Sequence, residues 1–522
     1  MGVVVRQTCG VPQMIAEIAL KPGESEEKLR FYAAKVLKIK EKDVGGLRVL
    51  KKSVDARKKP NVIINYRVSV WKKGEKPDLP PVYAPKSSGE GKSKRPVVVG
   101  FGPAGMFAAL VMSEAGLKPI VLERGGCVDE RVKKIDEFWG GGALDPETNV
   151  QFGEGGAGTF SDGKLTTGTK DERISYVLSR LAGFGAQEHI LWDSKPHIGT
   201  DRLREVVKNL REHIISLGAE VRFNTKMTAL RTEDGKVTGV QLSVGEVIDC
   251  DAVVLAIGHS ARDTLEYLES ISVPMEPKAF SMGVRIEHRQ RSVDFAQYGF
   301  IPERHELPPA DYKLSVSFPE GDSAYTFCMC PGGYVVAAAS EEDRVCTNGM
   351  SYSLRAGENA NAALLVTLTP DKFPYPGVLG GLRWQREIES AAFKAGGGNY
   401  CAPAQRVGDF LKDKPSNGAG SVRPTYRPGV KWCDLRDCLP ESITKTLKKS
   451  IPALARKLKG FDDADAVLTA AETRSSSPVR ILRGAGFESE VRGLYPCGEG
   501  AGYAGGIVSA AVDGIRVAER LI

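Results

Sequence analysis

The sequence predicts an α/β protein that combines a discontinuous parallel-sheet domain, an inserted α+β domain and a small N-terminal α+β module. Three observations lead to this prediction. A strand, a glycine-rich turn, a helix and a second strand follow one another over residues 96–125. A second glycine-rich pattern of strand, turn and helix occupies residues 493–522. The intervening residues 263–477 carry strand and helix patterns without another such fingerprint, as expected for an insertion.

The first pattern, PVVVGFGPAGMFAALVMSEAGLKPIVLERG, contains two short apolar strands at 97–99 and 120–122, of the kind that is buried in parallel sheets. The turn after the first strand fits G-x-G-x-x-G at Gly100, Gly102 and Gly105. In this motif the glycines permit the tight turn, the close approach of a pyrophosphate and the packing of helix on strand. The helix that follows would point its free N–H groups at the phosphates.

Residues beside the glycines complete this prediction. Pro103 and Ala104 open the helix, and Glu123 ends the second strand and is followed by Arg124. A carboxylate at the position of Glu123 can accept hydrogen bonds from a ribose 2′-OH, which favours an unphosphorylated adenosine ribose. The alternative, a glycine-rich turn without a ligand, does not explain why strand, helix, second strand and acid are all in register. We therefore predict a Rossmann-like site for an adenine dinucleotide.

Length and composition are those of an ordinary globular protein of two or three domains. The chain has 522 residues, 42% of them hydrophobic, and no apolar run approaches the length of a membrane span. Residues 1–13 lack a signal-peptide core, and ten cysteines are too few for a disulfide scaffold in a chain of this size. We therefore expect a cytoplasmic protein without a membrane partner.

The cysteines include two closely spaced pairs, Cys328-x-Cys330 and Cys433-x4-Cys438. The second pair has a spacing that a redox-active dithiol can use. No cofactor-loop motif lies beside it in the sequence, so the alternative is two reduced cysteines in a folded region.

The net charge of +7 belongs to the N-terminal part, because residues 1–95 carry 22 Lys and Arg against 10 Asp and Glu. Strand patterns at 14–20, 47–56 and 62–71, with a helix pattern at 26–39, predict a small, ferredoxin-like α+β module over residues 1–80. A linker rich in Pro, Ser and Lys is predicted at 81–95. The lysines could contact nucleic acid or an acidic protein. No aromatic stacking motif accompanies them, so we expect a solvated surface and no nucleic acid.

Two further segments are predicted to contact the same cofactor. The loop VQFGEGGAGTFSDGK at 150–164 includes Gly155, Gly156 and Gly158, and dense glycine inside a domain is costly in entropy unless a ligand orders it. A mobile surface loop is the alternative. The buried strand pattern at 251–257 runs into Gly258 and His259, a turn that we expect beside the cofactor.

The end of the chain returns to a cofactor-like pattern. Residues 493–502, GLYPCGEGAG, form a short strand and turn that contain Gly498 and Glu499, and Gly505 and Gly506 precede a helix that begins at Ile507. Glu499 is positioned to hold a chain of hydroxyl groups, and the helix N-terminus can stabilise negative charge. We therefore predict one cofactor domain from residues 96–262 and 478–522, with 263–477 inserted as a substrate domain.

Four segments carry a resemblance to a known family: FGEGGAGTFSDGKL, AIGHSARDT, ETRSSSPVRI and CGEGAGYAGGIVSAAVDG. With the first motif they are similar to the family of uncharacterised FAD-dependent dehydrogenases, which has a glutathione-reductase-like FAD/NAD(P)-binding fold. The resemblance covers residues 96–522, the N-terminal module also fits it, and it implies FAD as the cofactor. The residues that it implies are Gly100, Gly102 and Gly105 for the pyrophosphate, Glu123 for the ribose, Glu499 for the ribitol side, and Gly505 and Gly506 near the flavin ring.

Departures from neighbouring families narrow the chemistry that the resemblance implies. No CxxxxC motif follows the first fingerprint, which argues against a disulfide reductase, and no second strand–G-x-G-x-x-G unit is present for a built-in NAD(P)H domain. Gly498-Glu499 stands where aromatic hydroxylases have a Gly-Asp motif. We therefore expect an FAD-dependent dehydrogenase or reductase that transfers a hydride between FAD and a small organic substrate, with NAD(P)H or a protein as the candidate electron donor. The alternatives are a flavin-dependent monooxygenase, and a flavin-binding redox sensor or interaction protein that acts through the basic N-terminal module.

The candidate acid–base or anchoring residues are His259, Arg262, Arg285, His288, Arg474 and Ser476. His259 is the best placed, because it follows the strand that leads to the cofactor and histidine suits proton transfer near neutral pH. A histidine that only satisfies backbone groups is the alternative. Arg474 is predicted to anchor a substrate carboxylate or carbonyl, with an interdomain salt bridge as the alternative. No metal site is predicted.

Overall fold

A computed structural model of the chain describes residues 3–8, 11–75, 77, 83–84, 95–303 and 306–522. The predicted linker at 81–95 lies outside the described residues, except for residues 83, 84 and 95.

The described chain is a mixed α/β structure. In chain order its strands are β1 (Val3–Thr8), β2 (Val11–Leu20), β3 (Val44–Asp55), β4 (Ile63–Lys72), β5 (Val97–Val99), β6 (Ile120–Leu122), β7 (Glu220–Arg222), β8 (Met227–Glu233), β9 (Lys236–Leu242), β10 (Val247–Asp249), β11 (Val253–Leu255), β12 (Met275–Pro277), β13 (Phe280–Arg289), β14 (Ser315–Ser317), β15 (Ser323–Cys330), β16 (Tyr334–Ala337), β17 (Thr347–Met350), β18 (Asn359–Leu368), β19 (Ala402–Arg406), β20 (Val430–Trp432), β21 (Val467–Glu472), β22 (Val479–Ile481) and β23 (Leu494–Pro496). Its α-helices are α1 (Lys28–Leu37), α2 (Pro103–Glu114), α3 (Val128–Trp139), α4 (Arg173–Gly183), α5 (Thr200–Ser216), α6 (Arg262–Ser270), α7 (Gln290–Tyr298), α8 (Gly380–Ala395), α9 (Val407–Phe410), α10 (Glu441–Ala455) and α11 (Ile507–Ala518).

The N-terminal module is a four-stranded antiparallel sheet in the order β1-β2-β4-β3, with α1 packed against β2 and β3. β4 lies between β2 and β3, so the strands that flank α1 are not neighbours in the sheet, and the ferredoxin-like assignment stays a prediction. The edge strand β1 was not predicted, because its apolar run is too short to show a period. The backbone of Lys52 in β3 pairs with residues 192 and 194, so the module is joined to the rest of the protein through main-chain hydrogen bonds.

A five-stranded sheet in the order β23-β11-β5-β6-β7 lies at the centre of the molecule, and all its strand pairs are parallel. β5, β6 and β11 are buried along their whole length, as the apolar runs in the sequence predict. β23 comes from the end of the chain and pairs with β11, so the carboxyl ends of β5 and β23 lie at the same edge of the sheet. In open α/β sheets this edge is the one that binds ligands.

Helices α2 and α11 follow β5 and β23, respectively, and pack against each other. Gly514 makes their close approach possible, because a Cβ atom there would lie only 2.1 Å from the carbonyl oxygen of Ala104. The two helix N-termini therefore lie together at the carboxyl edge of the five-stranded sheet.

The segment between β11 and β23 contains a seven-stranded sheet in the order β14-β15-β18-β13-β21-β19-β20. All of its pairs are antiparallel except β19–β20, and α8 and α10 pack against it. This is the helix-covered, largely antiparallel sheet that the sequence patterns predict. The central strand β13 is buried from Phe280 to His288, so its side chains belong to the core of the inserted sheet.

Candidate functional site

A cavity of about 1540 Å³ lies where the five-stranded sheet, the seven-stranded sheet and the N-terminal module meet. This volume exceeds the roughly 300–1,000 Å³ of ordinary small-molecule pockets, so the cavity has room for a dinucleotide together with a second ligand. The residues that line it include Lys52, Val54, Gly100, Gly102, Glu123, Gly156, Lys164, Gly258, His259, Lys278, Tyr312, Cys328, Asn348, Glu472, Arg474, Ser476, Glu499, Gly505, Gly506 and Ile507.

Of the predicted cofactor residues, all but Gly105, Gly155 and Gly498 line this cavity. The three exceptions shape the turns behind its wall. A Cβ atom at Gly105 would lie 1.9 Å from the carbonyl oxygen of Gly100, and one at Gly155 would lie 2.0 Å from Thr159 Oγ1. The backbone N–H of Gly498 donates to the Asp513 carboxylate at 2.8 Å. These three glycines shape the backbone behind the cavity wall, and their contact with the cofactor stays a prediction.

The glycine turn after β5 contains both structural and open positions. Gly100 has φ +97°, a left-handed conformation that favours glycine, and a Cβ atom there would lie 2.4 Å from the carbonyl oxygen of Ala256. A Cβ atom at Gly102 would meet only Gly156, at 3.7 Å. Gly102 is also the N-cap of α2, and no side chain caps that helix. The first N–H groups of α2 are therefore available to an anion.

Glu123 lies at the end of β6, as predicted, and is 4% exposed. One carboxylate oxygen accepts a hydrogen bond from the Phe101 N–H at 2.8 Å, and the other accepts from Gly125 and Gly153 at 3.0 and 2.9 Å. The carboxylate thus joins the glycine turn to the glycine-rich loop at 150–164. Its contact with a ribose stays a prediction.

Arg124, the next residue, is held by acidic neighbours. Its guanidinium binds both oxygens of Glu147 and both oxygens of Asp263, and it lies 4.1 Å from the centre of the Phe152 ring. Burial alone would lower the pKa of this arginine, but Glu147 and Asp263 outweigh that effect and raise it. Arg124 therefore lines the cavity with its charge already neutralised.

The glycine-rich loop turns at Gly155 and Gly156, which have φ +81° and +61°. Gly158 brings this loop against α11, since a Cβ atom there would lie 3.1 Å from Ile507 Cγ1. The loop also contains a buried ion pair that was not predicted, in which Arg355 Nε donates to Asp162 at 2.9 Å. Such an ion pair cannot be read from the sequence, because its two residues are 193 positions apart.

The turn after β23 and the start of α11 form another part of the cavity wall. No side chain caps α11 at Gly506, and a Cβ atom at Gly505 would meet nothing within 4 Å. A Cβ atom at Gly258, which follows β11 and has φ +70°, would also meet nothing within 4 Å. Because Gly102, Gly258 and Gly505 carry no side chains, they leave an open space at the edge of the sheet that larger side chains would fill. We call this space the cradle.

His259 and Glu499 come together at this wall. His259 Nδ1 lies 3.5 Å from Glu499 Oε1, and the imidazole is 10% exposed. His259 Nε2 is buried and has no hydrogen-bond partner among the described residues. A buried polar atom without a partner is costly, so a ligand group or a water in the cavity is expected to satisfy it.

Lys278 is a cavity residue that the sequence analysis did not identify, since a lone lysine carries no signal. Its side chain is half-buried, and the charges of Glu499 and Arg480 both act on it. Burial lowers the pKa of Lys278, and Arg480 lowers it further, while Glu499 partly restores it. The ammonium group therefore loses its proton more readily than an exposed lysine does.

Arg474 lines the cavity, but its guanidinium is fully occupied. It donates two hydrogen bonds to the carboxylate of Glu389, at 2.9 and 2.8 Å, and two more to the hydroxyl groups of Ser260 and Ser340. Arg262 binds the same carboxylate at 2.9 and 2.7 Å. These bonds favour the alternative given for Arg474, a salt bridge between parts of the chain, over the anchoring of a substrate.

Of the other candidate residues, one lines the cavity and two are paired within the protein. Arg285 is fully buried and binds both oxygens of Glu472, and only Glu472 reaches the cavity. His288 Nε2 pairs with the carbonyl oxygen of Phe461 at 2.9 Å, away from the cavity. Ser476 lines the cavity. Arg285 and His288 therefore support the inserted sheet and do not face a ligand.

The described residues show neither a metal-binding cluster nor a membrane-spanning helix. No group of three or more His, Cys, Asp or Glu side chains in the described ranges is arranged to hold a metal ion. No helix in that part of the chain is long and apolar enough to cross a membrane.

Comparisons with known proteins match three segments of the chain to families. Residues 279–475 match a family described as FAD-dependent protein, C-terminal domain-like, and residues 198–348 match FAD dependent oxidoreductase. Residues 12–71 match a domain of unknown function. An uncharacterised protein of Clostridium beijerinckii is 50% identical, over 97% of this chain and 98% of its own length.

Solved structures resemble the chain only distantly. Glycine oxidase from Bacillus cereus is 14% identical, with 82% of this chain and 94% of that chain covered and a TM-score of 0.34. A variant of a flavin-dependent brominase is 12% identical, with coverage of 82% and 79% and a TM-score of 0.38. CtdE in complex with FAD is 12% identical, with coverage of 81% and 82% and a TM-score of 0.32.

The family matches and the cradle at the sheet edge agree on the cofactor, which is FAD. With its Clostridium beijerinckii relative, the chain belongs to a family of FAD-dependent oxidoreductases.

Proposed function

We propose that the protein is an FAD-dependent dehydrogenase or reductase that exchanges a hydride between FAD and a small organic substrate. One observation carries the proposal. A single cavity joins the uncapped N-termini of α2 and α11 to an unpartnered histidine nitrogen and to the polar wall of the inserted sheet. In this proposal the cofactor, the proton-transfer group and the substrate wall share one cavity.

The N-terminus of α2 is the proposed site for the FAD pyrophosphate, with Gly102 allowing the close approach of the backbone. Glu123 is assigned to the ribose and Glu499 to the ribitol chain. Gly505, Gly506 and Ile507 are assigned to the flavin ring, where the N-terminus of α11 stabilises negative charge. Bound FAD supplies reversible two-electron chemistry, and the protein supplies orientation and electrostatics.

His259 is the proposed proton-transfer residue. Glu499 lies 3.5 Å from its Nδ1 and can orient the ring, which leaves Nε2 to take or give a proton at the substrate. Lys278, with its lowered pKa, is close enough to Glu499 to influence the charge of the pair. In this proposal Arg474 holds the two parts of the chain together and does not touch the substrate.

The N-terminal module forms part of the cavity wall through Lys52, Ser53, Val54, Ala56 and Ile64. We therefore assign it to closing the cavity against water, and not to nucleic acid or to sensing. Water exclusion strengthens the electrostatic interactions of the groups inside. The direct partners in this proposal are a small-molecule substrate and an electron donor, either NAD(P)H or a protein.

Anaerobic reduction of the purified protein tests the proposal, with the visible absorption of the flavin followed after addition of NADH, NADPH or neither. Bleaching by one nicotinamide would identify the donor and direct the search to an acceptor. Bleaching by neither would direct it to a reducing substrate or a protein carrier. Rapid reaction of the reduced protein with oxygen, coupled to a hydroxylated product, would overturn the proposal in favour of a monooxygenase.

A further inference from the structure

The cavity wall contributed by β15 carries two cysteines separated by one residue. Cys328 is partly exposed and lines the cavity, whereas Cys330 is fully buried behind it. Both are free thiols, and Cys330 Sγ lies 3.3 Å from the carbonyl oxygen of Cys328. Of the two cysteines, Cys328 is therefore the one that borders the cavity.

The backbone at Cys328 is irregular. The pairing of β15 with β18 shifts register between Phe327 and Cys330, and Cys328 has φ +41° although it is not glycine. A non-glycine residue in the left-handed region costs of order 1–3 kcal/mol and persists only where the surroundings hold it. Bulges of this kind occur beside functional sites and change the direction of a side chain.

Two cations hold this irregular segment. Arg285 donates to the carbonyl oxygen of Cys328 at 2.9 Å, and Lys164 Nζ donates to the carbonyl oxygen of Met329. A hydrogen bond from Cys330 lowers the pKa of the Cys328 thiol. Burial opposes this effect, and the charges of Arg285 and Lys164 reinforce it. The same hydrogen bond raises the pKa of Cys330, which therefore stays protonated as the donor.

The second closely spaced pair has none of these properties. Cys433 and Cys438 do not line the cavity, and burial raises the pKa of both thiols. A thiolate is the reactive form of cysteine, so the environment of Cys328 is that of a reactive thiol and the environment of the second pair is not.

We propose that Cys328 and Cys330 are a redox-active dithiol that exchanges an electron pair with bound FAD. This inference rests on the redox role of FAD in the proposed function. In the oxidative direction two S–H bonds break and one S–S bond forms. Two protons leave to the cavity, and the two electrons pass to oxidised FAD. In the reverse direction the disulfide takes up two electrons and two protons.

The spacing of the pair suits a disulfide that is easily reduced. Two residues apart on an extended strand, Cα atoms are roughly 6.4–6.8 Å apart, at the upper end of the roughly 4.4–6.8 Å that disulfides span. The bulge bends the strand at Cys328. A disulfide between Cys328 and Cys330 would still close only a small ring. Strained and accessible disulfides have higher reduction potentials and are the labile or catalytic ones.

Thiol counting on the flavin-loaded protein is the first test. The protein is treated with diamide, its remaining thiols are alkylated under denaturing conditions, and the alkylated peptides are identified by mass spectrometry. We expect Cys328 and Cys330 to disappear together from the alkylated set and to reappear after reduction. Cys328→Ser should keep Cys330 alkylated, and Cys401→Ser, which changes a partly exposed cysteine outside the cavity, should behave like the wild type.

An anaerobic reductive titration is the second test, with dithionite added to the diamide-treated protein and electrons counted per bound FAD. We expect the wild type and Cys401→Ser to take up about twice as many electrons as Cys328→Ser, because flavin and disulfide are each a two-electron couple. The flavin spectrum shows that each variant is folded and loaded. Equal uptake by wild type and Cys328→Ser would overturn the dithiol and leave the redox role of FAD intact. A flavin that cannot be reduced at all would overturn the proposed function itself.

Discussion

Replacement of Glu389 by glutamine is expected to destabilise the protein strongly, because this carboxylate lies between two buried arginines. Glu389 is fully buried on α8 and accepts hydrogen bonds from Arg262, from Arg474 and from the hydroxyl of Thr473. Arg262 precedes the inserted sheet in the chain and Arg474 follows it. The carboxylate therefore links the segment that leads from the five-stranded sheet into the insertion to the segment that leads back.

The size of the effect follows from what the substitution leaves behind. In Glu389→Gln one carboxylate oxygen becomes an NH₂ group that faces guanidinium donors, and both arginines lose their shared counter-charge. Glu341 stays near Arg262, but it lies 4.0 Å from Arg474. Breaking a buried ion pair by removing one partner costs about 3–5 kcal/mol. In a domain of 150–250 residues, each kcal/mol of destabilisation lowers the Tm by about 2–4 °C. This loss is therefore expected to lower the Tm by roughly 6–20 °C.

Thermal unfolding of the flavin-loaded protein, followed by circular dichroism, measures this effect. Glu342→Gln is the matched control, because Glu342 is exposed and close by in the sequence, and its substitution should change stability by no more than about 0.5 kcal/mol. A Tm of Glu389→Gln equal to that of Glu342→Gln would refute the reasoning, since the carboxylate would then not be compensating two buried charges.

Three further predictions concern the cavity. Gly505→Val should raise the Kd for FAD at least about tenfold, or 1.4 kcal/mol, because the valine side chain enters the cradle. Equilibrium dialysis measures this Kd. Gly486→Val, which is also at an open position but outside the cavity, should leave the Kd unchanged. His259→Gln should keep FAD but slow flavin reduction by the physiological donor by about 100- to 10,000-fold, whereas His213→Gln should leave the rate unchanged. Burial, with help from Arg355, lowers the pKa of His197 to about 4, so the unfolded chain binds a proton that the folded protein does not. The free energy of unfolding is therefore unaffected by this histidine above about pH 6.5 and decreases as the pH falls towards 4. Tm values measured over this pH range should fall less for His197→Asn than for the wild type.

Local patterns in the sequence were sufficient for the elements around the cofactor. The apolar runs at 97–99 and 120–122 are the buried strands β5 and β6, and the glycines between them are in the turn where the motif predicts them. Sixteen residues were predicted to contact one cofactor, and thirteen of them line one cavity. Strand burial, tight turns and helix starts can be predicted in this way because they depend on neighbouring residues.

The side chains that decide the chemistry were harder to assign. The sequence predicts that Arg474 contacts a substrate, and only the packing of α8 shows that Glu389 occupies its guanidinium. The pair Cys328-x-Cys330 is visible in the sequence, but its position on the cavity wall depends on a register shift between β15 and β18. Partners far apart in the chain leave no local signal.

The sequence by itself predicted an adenine dinucleotide and the segments that approach it, and its resemblance to a known family implied FAD, the cofactor that the family matches support. The tertiary structure decided which charged groups are free and which are already paired. It also decided that the basic N-terminal module forms a wall of the cavity. The physical reason is that backbone conformation follows from short-range sterics and periodicity. The pKa and the availability of a side chain depend instead on burial and on charges that only the complete fold brings within a few ångströms.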